Sequence, residues 1–488
     1  VLGSGIAMLD ATVVSIALPR IGKDFNTGVA GLQWVVTAYT LTLAAFLLLG
    51  GTLGDRYGRR RVFMVGVAWF AVASAACAVA PSAGVLIAAR ALQGVGAALL
   101  TPGSLAILQS AFIPSDRSRA IGAWSGFGAL ATAAGPIIGG LLLAIASWRW
   151  VFVINLPVAV VVLLISSRHV PESADASVTG RLDIAGATWA VIALSTLVYA
   201  LIEAPQAGWG SVEVLALLAV GIGAGVAFVV TERRAVAPML PLSMFASRQF
   251  AATNGVTFLV YGGLGGALFL LPVAAQQVAG YTPLEAGLTL LPVTILMFAL
   301  SAQSGRLASR IGPRLQMSLG PILVGIGIGL LARLSSDFNY VTGVLPGVLV
   351  LGAGLVLMVA PLTSTAMSSA PEEHAGIASA VNNDVARTAG LFAVAVIPVA
   401  AGITGEAYLH PEMFGHGFRI ACVIAGSLCI LGGLLAVALI RNEPHRVDEE
   451  EDHPALCQTC VGATAPPLTS PSGARAALPA GAVTVRST

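Results

Sequence analysis

Apolar runs of about twenty residues, separated by short breaks of charge, proline and glycine, fill the chain to about residue 440. A helix rises about 1.5 Å per residue and the hydrocarbon layer is roughly 30 Å thick, so each run predicts one membrane-spanning helix. Cutting at the punctuation gives fourteen spans, near 1–20, 31–53, 62–80, 84–112, 120–146, 151–167, 182–203, 212–231, 250–277, 284–303, 315–334, 342–362, 377–402 and 418–440. The expected fold class is an all-α polytopic membrane protein. Composition agrees: of 488 residues, 57% are hydrophobic and 10% charged, with a mean hydropathy of +0.89, too apolar for a soluble multidomain protein.

The net charge of +2 matters less than where the cations fall. With both termini on the cytoplasmic side, inner loops and the start of the tail carry Arg56, Arg59, Arg60, Arg61, Arg117, Arg119, Arg168, Arg181, Arg233, Arg234, Arg248, Arg306, Arg310, Arg314, Arg441 and Arg446. The outer side keeps Arg20, Lys23, Arg149, Arg333 and Arg419. That asymmetry supports an even number of spans in a plasma (cytoplasmic, inner) membrane, and a basic surface for nucleic acid is not implied. The first run contains Asp10 and has neither a basic front nor a cleavage site, so a span is expected there rather than a secretory signal. Three of the five cysteines lie in apolar runs, which argues against a disulfide framework.

The densest break, Gly51-Thr-Leu-Gly-Asp55-Arg56-Tyr-Gly58-Arg59-Arg60-Arg61, has an echo at Gly305-Arg306-Leu307-Ala-Ser309-Arg310-Ile-Gly312-Pro-Arg314. The chain is therefore internally repeated. The first copy follows the second span and the second copy the tenth, so two spans are inserted between two six-span halves. Expected boundaries are 1–168 for the first bundle, 169–249 for the inserted pair with its flanks, 250–441 for the second bundle and 442–488 for a disordered cytoplasmic tail. The tail holds an acidic run, Asp448 to Asp452, and His453, Cys457 and Cys460; a single Cys-x-x-Cys lacks a full ligand set, which favours solvated thiols over a metal site.

Five segments in order carry a family resemblance: Leu9-Asp10-Ala-Thr12 through Pro19, the Gly51 to Arg61 break, Arg90-Ala-Leu-Gln93-Gly94-Val-Gly96, Gly135-Pro136-Ile-Ile-Gly139-Gly140, and Trp148-Arg149-Trp150 through Asn155-Leu-Pro157. On these the chain resembles the major facilitator superfamily, specifically its fourteen-spanner drug:proton antiporter branch, up to about Arg441. The resemblance implies a major facilitator fold of two six-helix bundles plus two inserted helices, working by alternating access.

Asp10 lies ten residues before Arg20, roughly 15 Å deep. An unpaired carboxylate at mid-membrane is costly to ionise and suits exchange of a proton for a cation. The bland alternatives are a carboxyl satisfied by Thr12 or facing water. In the resembled family the helix-one acid is associated with substrate or proton binding. Arg90 either snorkels to the outer face or, with Gln93, turns a polar side into a cavity. Gly135, Pro136, Gly139 and Gly140 match the family's antiporter motif and predict a kinked, closely packed helix. Asp384 and Arg387, three apart, can meet on one helix face, either as an interfacial pair or as the mouth of a cavity with Asn382 and Asn383.

Asp10, Arg90 and Asp384 are the expected proton and substrate coupling residues. Trp34, Tyr39, Gln93, Trp124, Asn155, Tyr261 and Asn383 are expected in the substrate cavity, with Asn254 a further polar candidate. Asp55, Arg56, Arg59 and Arg60 are expected at a cytoplasmic gate, where Asp55 contacts Arg59 or an arginine of another helix. No cofactor is expected, the proton gradient being the energy source, and the chain has no P-loop of the Gly-x-x-x-x-Gly-Lys-Ser/Thr type. The function implied is that of a monomeric, proton-coupled exporter of amphipathic small molecules, drugs or antibiotics among them, embedded in the bilayer. Export of a self-made metabolite or lipid is the alternative; a channel or an integral-membrane enzyme is weaker, since neither a filter-like element nor a nucleophile constellation stands out.

Overall fold

The computed structural model describes residues 2–111, 114–174, 183–235, 238–334, 340–369, 375–405 and 410–442. Its segments are numbered here by membrane span. The first half consists of α1 (Leu2–Phe25), α2 (Val29–Tyr57), α3 (Arg59–Ala78), α4 (Ala83–Ala111), α5 (Pro114–Ile145) and α6 (Trp150–His169). Next come α7 (Ile184–Ala207) and α8 (Val212–Arg234). The second half has α9 (Arg248–Gln277), α10 (Pro283–Leu288 continued by Leu291–Ile311), α11 (Pro313–Leu331), α12 (Tyr340–Ser368), α13 (Ala375–Ala400) and α14 (Pro411–Leu439). Among the described residues 13 helices are long and apolar enough to cross a membrane; α5, with its apolar stretch Ala134–Ile145, completes the expected fourteen. Of the tail expected from residue 442 only Asn442 is described; the rest, with its Cys-x-x-Cys, lies outside the described residues.

Helices α1–α6 pack on one another, as do α9–α14. Without water to drive apolar association, small residues set the approach. A β-carbon on Gly50 of α2 would sit 2.2 Å from the Ala98 carbonyl oxygen of α4, and one on Gly325 of α11 would sit 2.5 Å from the Gly426 carbonyl oxygen of α14. Side chains larger than hydrogen cannot be housed at either crossing.

Two faces can be told apart by their loops: an arginine-rich face with the turns after α2 and α10, and an opposite face with the turns after α1, α3 and α5. Two hydrogen bonds tie the halves toward the opposite face. Gln33 of α2 donates to the Val394 carbonyl of α13 (2.7 Å), and Gln276 of α9 donates to the Ile16 carbonyl of α1 (3.2 Å). There too α5 meets the start of α10: β-carbons on Gly140 and Gly287 would lie 2.6 Å from Leu284 Cα and 2.2 Å from the Pro136 carbonyl oxygen. A buried apolar cluster continues through this seam, from Val13 and Ile16 to Leu271 and Phe414.

The inserted pair is not a spacer outside the bundles. Helix α7 packs on both α2 and α13, where Leu41, Val198, Ile202, Leu391 and Ala395 form a buried cluster spanning the two halves. Helix α8 packs on α7 through Ala200, Ala204 and Val214, and presents Leu215, Ile222 and Val226 outward, as a lipid-facing helix does.

Closeness at the α5–α10 crossing generates a test. Gly287→Val forces a side chain into the Pro136 carbonyl and should part the halves at the opposite face. A cysteine introduced at Leu284 should then label several-fold faster with a thiol reagent; unchanged labelling would show that this crossing does not hold the seam.

Candidate functional site

Five helices of the first half converge on one carboxylate. Asp10, in the third turn of α1, is completely buried. Its Oδ2 accepts from Arg90 Nη1 of α4, while its Oδ1 accepts from Gln93 Nε2 of α4 (2.9 Å) and Asn155 Nδ2 of α6 (2.8 Å). Arg90 is equally buried: Nη1 also donates to Gln93 Oε1 (2.7 Å), Nε donates to the Val35 carbonyl of α2 (3.1 Å), and the guanidinium lies 4.3 Å from the Tyr39 ring centroid. Ser74 of α3 accepts from Gln93 (3.2 Å) and Asn155 (3.0 Å) and donates to the Phe152 carbonyl (3.0 Å).

Local sequence explains the placement. Pro157 has no N–H for the carbonyl of residue 153, and α6 breaks at Ile154, leaving Asn155 at the start of its longer piece. Arg90 and Gln93, three apart, share one face of α4. A buried charge pair is tolerated when its remaining donors and acceptors are met, and here two amides, a backbone carbonyl and an aromatic face complete it.

One expectation changes and one alternative falls. Asp10 is not unpaired: Arg90 neutralises it, and Thr12 is engaged elsewhere, donating to the Leu9 (3.0 Å) and Thr132 (3.2 Å) carbonyls. Arg90 does not snorkel outward but turns inward beneath Tyr39. Accordingly Tyr39, Gln93 and Asn155 are sealed parts of this network rather than exposed cavity walls in this conformation. Ser74 was missed, because a lone serine in an apolar run gives no signal of its own.

The other expected site residues fall into separate places. Trp34 faces the inserted pair, its ring 5.5 Å from that of Tyr199 on α7, rather than a central cavity. Tyr261 is partly buried against the apolar core of the second half. Asn383 is exposed and donates to the Ser379 carbonyl within its own helix. Asn382 is buried and donates to Asn254 (3.1 Å) and Thr257 (2.8 Å) of α9. The side chain of Trp124 lies outside the described residues. Asp384 and Arg387 share a helix but do not close into a salt bridge: Asp384 Oδ1 and Arg387 Nε are buried with no hydrogen-bond partner. Arg387 nevertheless lies within electrostatic range of Tyr39, so α13 brings a half-buried cation toward the first-half network. A recess of about 620 Å³ lies elsewhere, between α10 and α12, lined by Tyr281, Glu285 and Tyr340 among others; the central charges, not this recess, carry the candidate chemistry.

Gly135 and Gly139 let α5 close on α1: their β-carbons would lie 1.9 Å from Thr12 Oγ1 and 3.2 Å from the Val13 carbonyl oxygen. Pro136 and Gly140 turn to α10. The motif therefore joins α1, inside its own half, to the seam.

At the arginine-rich face Asp55 pairs with Arg59 (2.7 Å), one turn on. The tight turn itself is held by Glu172, which follows α6: its Oε1 accepts the Arg60 backbone N–H (3.0 Å), and Arg60 Nη1 donates to the Val170 carbonyl (2.9 Å). The repeat is built alike. Arg314 N–H donates to Asn442 Oδ1 (3.0 Å) and Arg314 Nη2 to the Val437 carbonyl (2.7 Å). Gly58 (φ 105°) and Gly312 (φ 82°) take a conformation that a β-carbon disfavours. Glu172 and Asn442 were not foreseen; each lies just past the last span of its half.

The Major Facilitator Superfamily family model matches residues 1–395. The multidrug resistance protein Stp of Mycobacterium tuberculosis (strain CDC 1551 / Oshkosh) is 37% identical over 416 residues, covering 84% of this chain and 76% of its own. The tetracenomycin C resistance and export protein of Streptomyces glaucescens is 36% identical over 398 residues, covering 82% and 74%. Among solved structures, a peptide transporter POT in complex with sulfate superposes with a TM-score of 0.64 at 15% identity, over 90% of this chain and 92% of that one, a likeness of fold alone.

The buried pair makes a stability prediction. Arg90→Ala leaves Asp10 with two amide donors and no counter-charge, and should cost about 3–5 kcal/mol. Arg90→Gln combined with Asp10→Asn, which removes both charges, should cost less than Arg90→Ala in thermal unfolding of the detergent-purified protein. Equal losses would show that shape rather than charge holds the network.

Proposed function

Because the chain belongs to the Major Facilitator Superfamily, we propose that it is a monomeric, proton-coupled exporter of amphipathic small molecules, drugs and antibiotics included, in the cytoplasmic membrane. The names of the two relatives, one a multidrug resistance protein and one a resistance and export protein, support the substrate class. The observation that carries the coupling is the sealed Asp10–Arg90 pair. A proton on Asp10 cancels its charge, removes the charge-assisted bond and leaves Arg90 without a counter-ion. The network thus has two states that differ by one proton, and its five helices include α1 and α2, which meet the second half at the seam.

With the arginine-rich face taken as cytoplasmic, the halves are fastened at the outer side. The Gln33–Val394 and Gln276–Ile16 hydrogen bonds and the Gly140–Gly287 crossing all lie there, an arrangement that supports an inward-facing state. Outward opening then requires the α5–α10 and α2–α13 contacts to part while the arginine-rich turns approach. Asp384, Arg387 and Tyr261 belong to the moving partner, and Asp55 with Arg59 keeps its turn rigid. Export of a metabolite made by the same cell is the second reading, favoured by the relative whose name joins resistance to export.

Reconstituted in liposomes, the protein should move amphipathic dyes or antibiotics only when a proton gradient is imposed, and purified protein should release protons when such a ligand is added. Asp10→Asn, inserted normally, should abolish both effects. Wild-type proton-coupled flux in that variant would overturn the assignment of Asp10, and flux indifferent to the proton gradient would favour a channel.

A further inference from the structure

A second pair of acids, unused by the reading above, closes the arginine-rich end of the inserted helices. Asp183 is the N-cap of α7, and its Oδ1 accepts the Gly186 N–H (2.7 Å). Glu232, near the end of α8, is 3% exposed, and its Oε2 accepts the Leu240 N–H (3.1 Å) from the connection to α9. Each carboxyl therefore has one oxygen occupied. The other two, Asp183 Oδ2 and Glu232 Oε1, are buried with no hydrogen-bond partner. Both converge on the same spot: a β-carbon on Gly186 would lie 2.7 Å from the first and 2.8 Å from the second.

As carboxylates the two groups are acceptors only, so neither can satisfy the other, and their charges repel across a space with little water. Among the described residues the adjoining cations do not relieve this. Arg233 and Arg234 on α8 are exposed, Arg248 at the start of α9 donates to the Ala438 carbonyl, and among the described residues no salt bridge reaches either acid. One proton removes the conflict, turning two unpaired acceptors into a donor and an acceptor.

We propose that Asp183 and Glu232 form a proton-binding site, holding one proton between Asp183 Oδ2 and Glu232 Oε1, distinct from the Asp10 network. The proton's task follows from what Glu232 holds. Its other oxygen fastens Leu240, and Leu240, Met244 and Phe245 pack on a buried cluster of Phe250 of α9 with Ala378 and Val381 of α13, against which Val385 also packs. Val385 adjoins Asp384 in sequence. The protonated pair clamps α7 to α8 and seats this connection on the second half; its deprotonation sets two charges against each other at the root of the connection and loosens it.

Infrared spectra of the whole protein in detergent test this without reference to transport. At neutral pH the wild type should show a protonated-carboxyl C=O band that shifts in deuterium oxide, and both Glu232→Gln and Asp183→Asn should lose the same component. Either variant keeps a donor able to bridge the pair, so folding is preserved. A component that persists in both variants, or is lost in only one, overturns a shared proton. The same holds if the wild type lacks the component, as two carboxylates around a bound metal cation would. Limited proteolysis supplies the second readout: cleavage within 235–247 should accelerate on raising the pH in wild type but not in Glu232→Gln. An identical pH response in the two would also overturn the proposal.

Discussion

A charge pair sealed from water governs how the first half can move. Asp10 and Arg90 sit where ionised groups are expensive, so every remaining donor and acceptor must find a partner, and those partners come from α2, α3 and α6 as well as α1 and α4. Neutralisation and hydrogen bonding together make the pair tolerable. Five helices are in effect bolted to one carboxylate. A change in that carboxylate's charge is felt by all of them at once, which a carboxyl merely lining a water-filled cavity would not achieve.

The two halves repeat a backbone device while differing in charge. Both close the turn between their second and third helices with a positive-φ glycine and an arginine backbone N–H that donates to a residue just past the half's last span. In the first half that residue is Glu172 and in the second Asn442; likewise Asp55 of the first turn aligns with Ser309 of the second. Geometry is shared, but at these turns the acids, Asp55 and Glu172, belong to the first half alone. Asp384, half-buried, is the acid that α13 contributes from the other side.

Helices α7 and α8 change meaning once their contacts are known. An inserted pair that only filled space would touch one half. Instead α7 bridges α2 and α13 by apolar packing, and the connection beyond α8 lies on α9 and α13. Such contacts are non-directional, so they can slide as the halves rock, whereas the glycine crossings between α5 and α10 either fit or part.

Periodicity, punctuation and the arginine bias were enough to read fourteen spans, the repeat and the inserted pair from the chain alone, because hydrocarbon thickness and backbone satisfaction leave a spanning segment few choices. The identities of Asp10, Arg90, Gln93 and Asn155 as unusual polar residues were equally legible, since each stands out against an apolar run. What joins them was not. Residues 10, 74, 90, 93 and 155 meet through helix rotation and crossing, which hydropathy does not encode, and Ser74 carries no mark of its role. The same holds for Glu172 and Asn442 at the turns and for Asp183 opposite Glu232. Sequence determined which side chains would be costly in a membrane; tertiary structure decided which partners meet that cost, because partnership depends on distances across helices rather than along them.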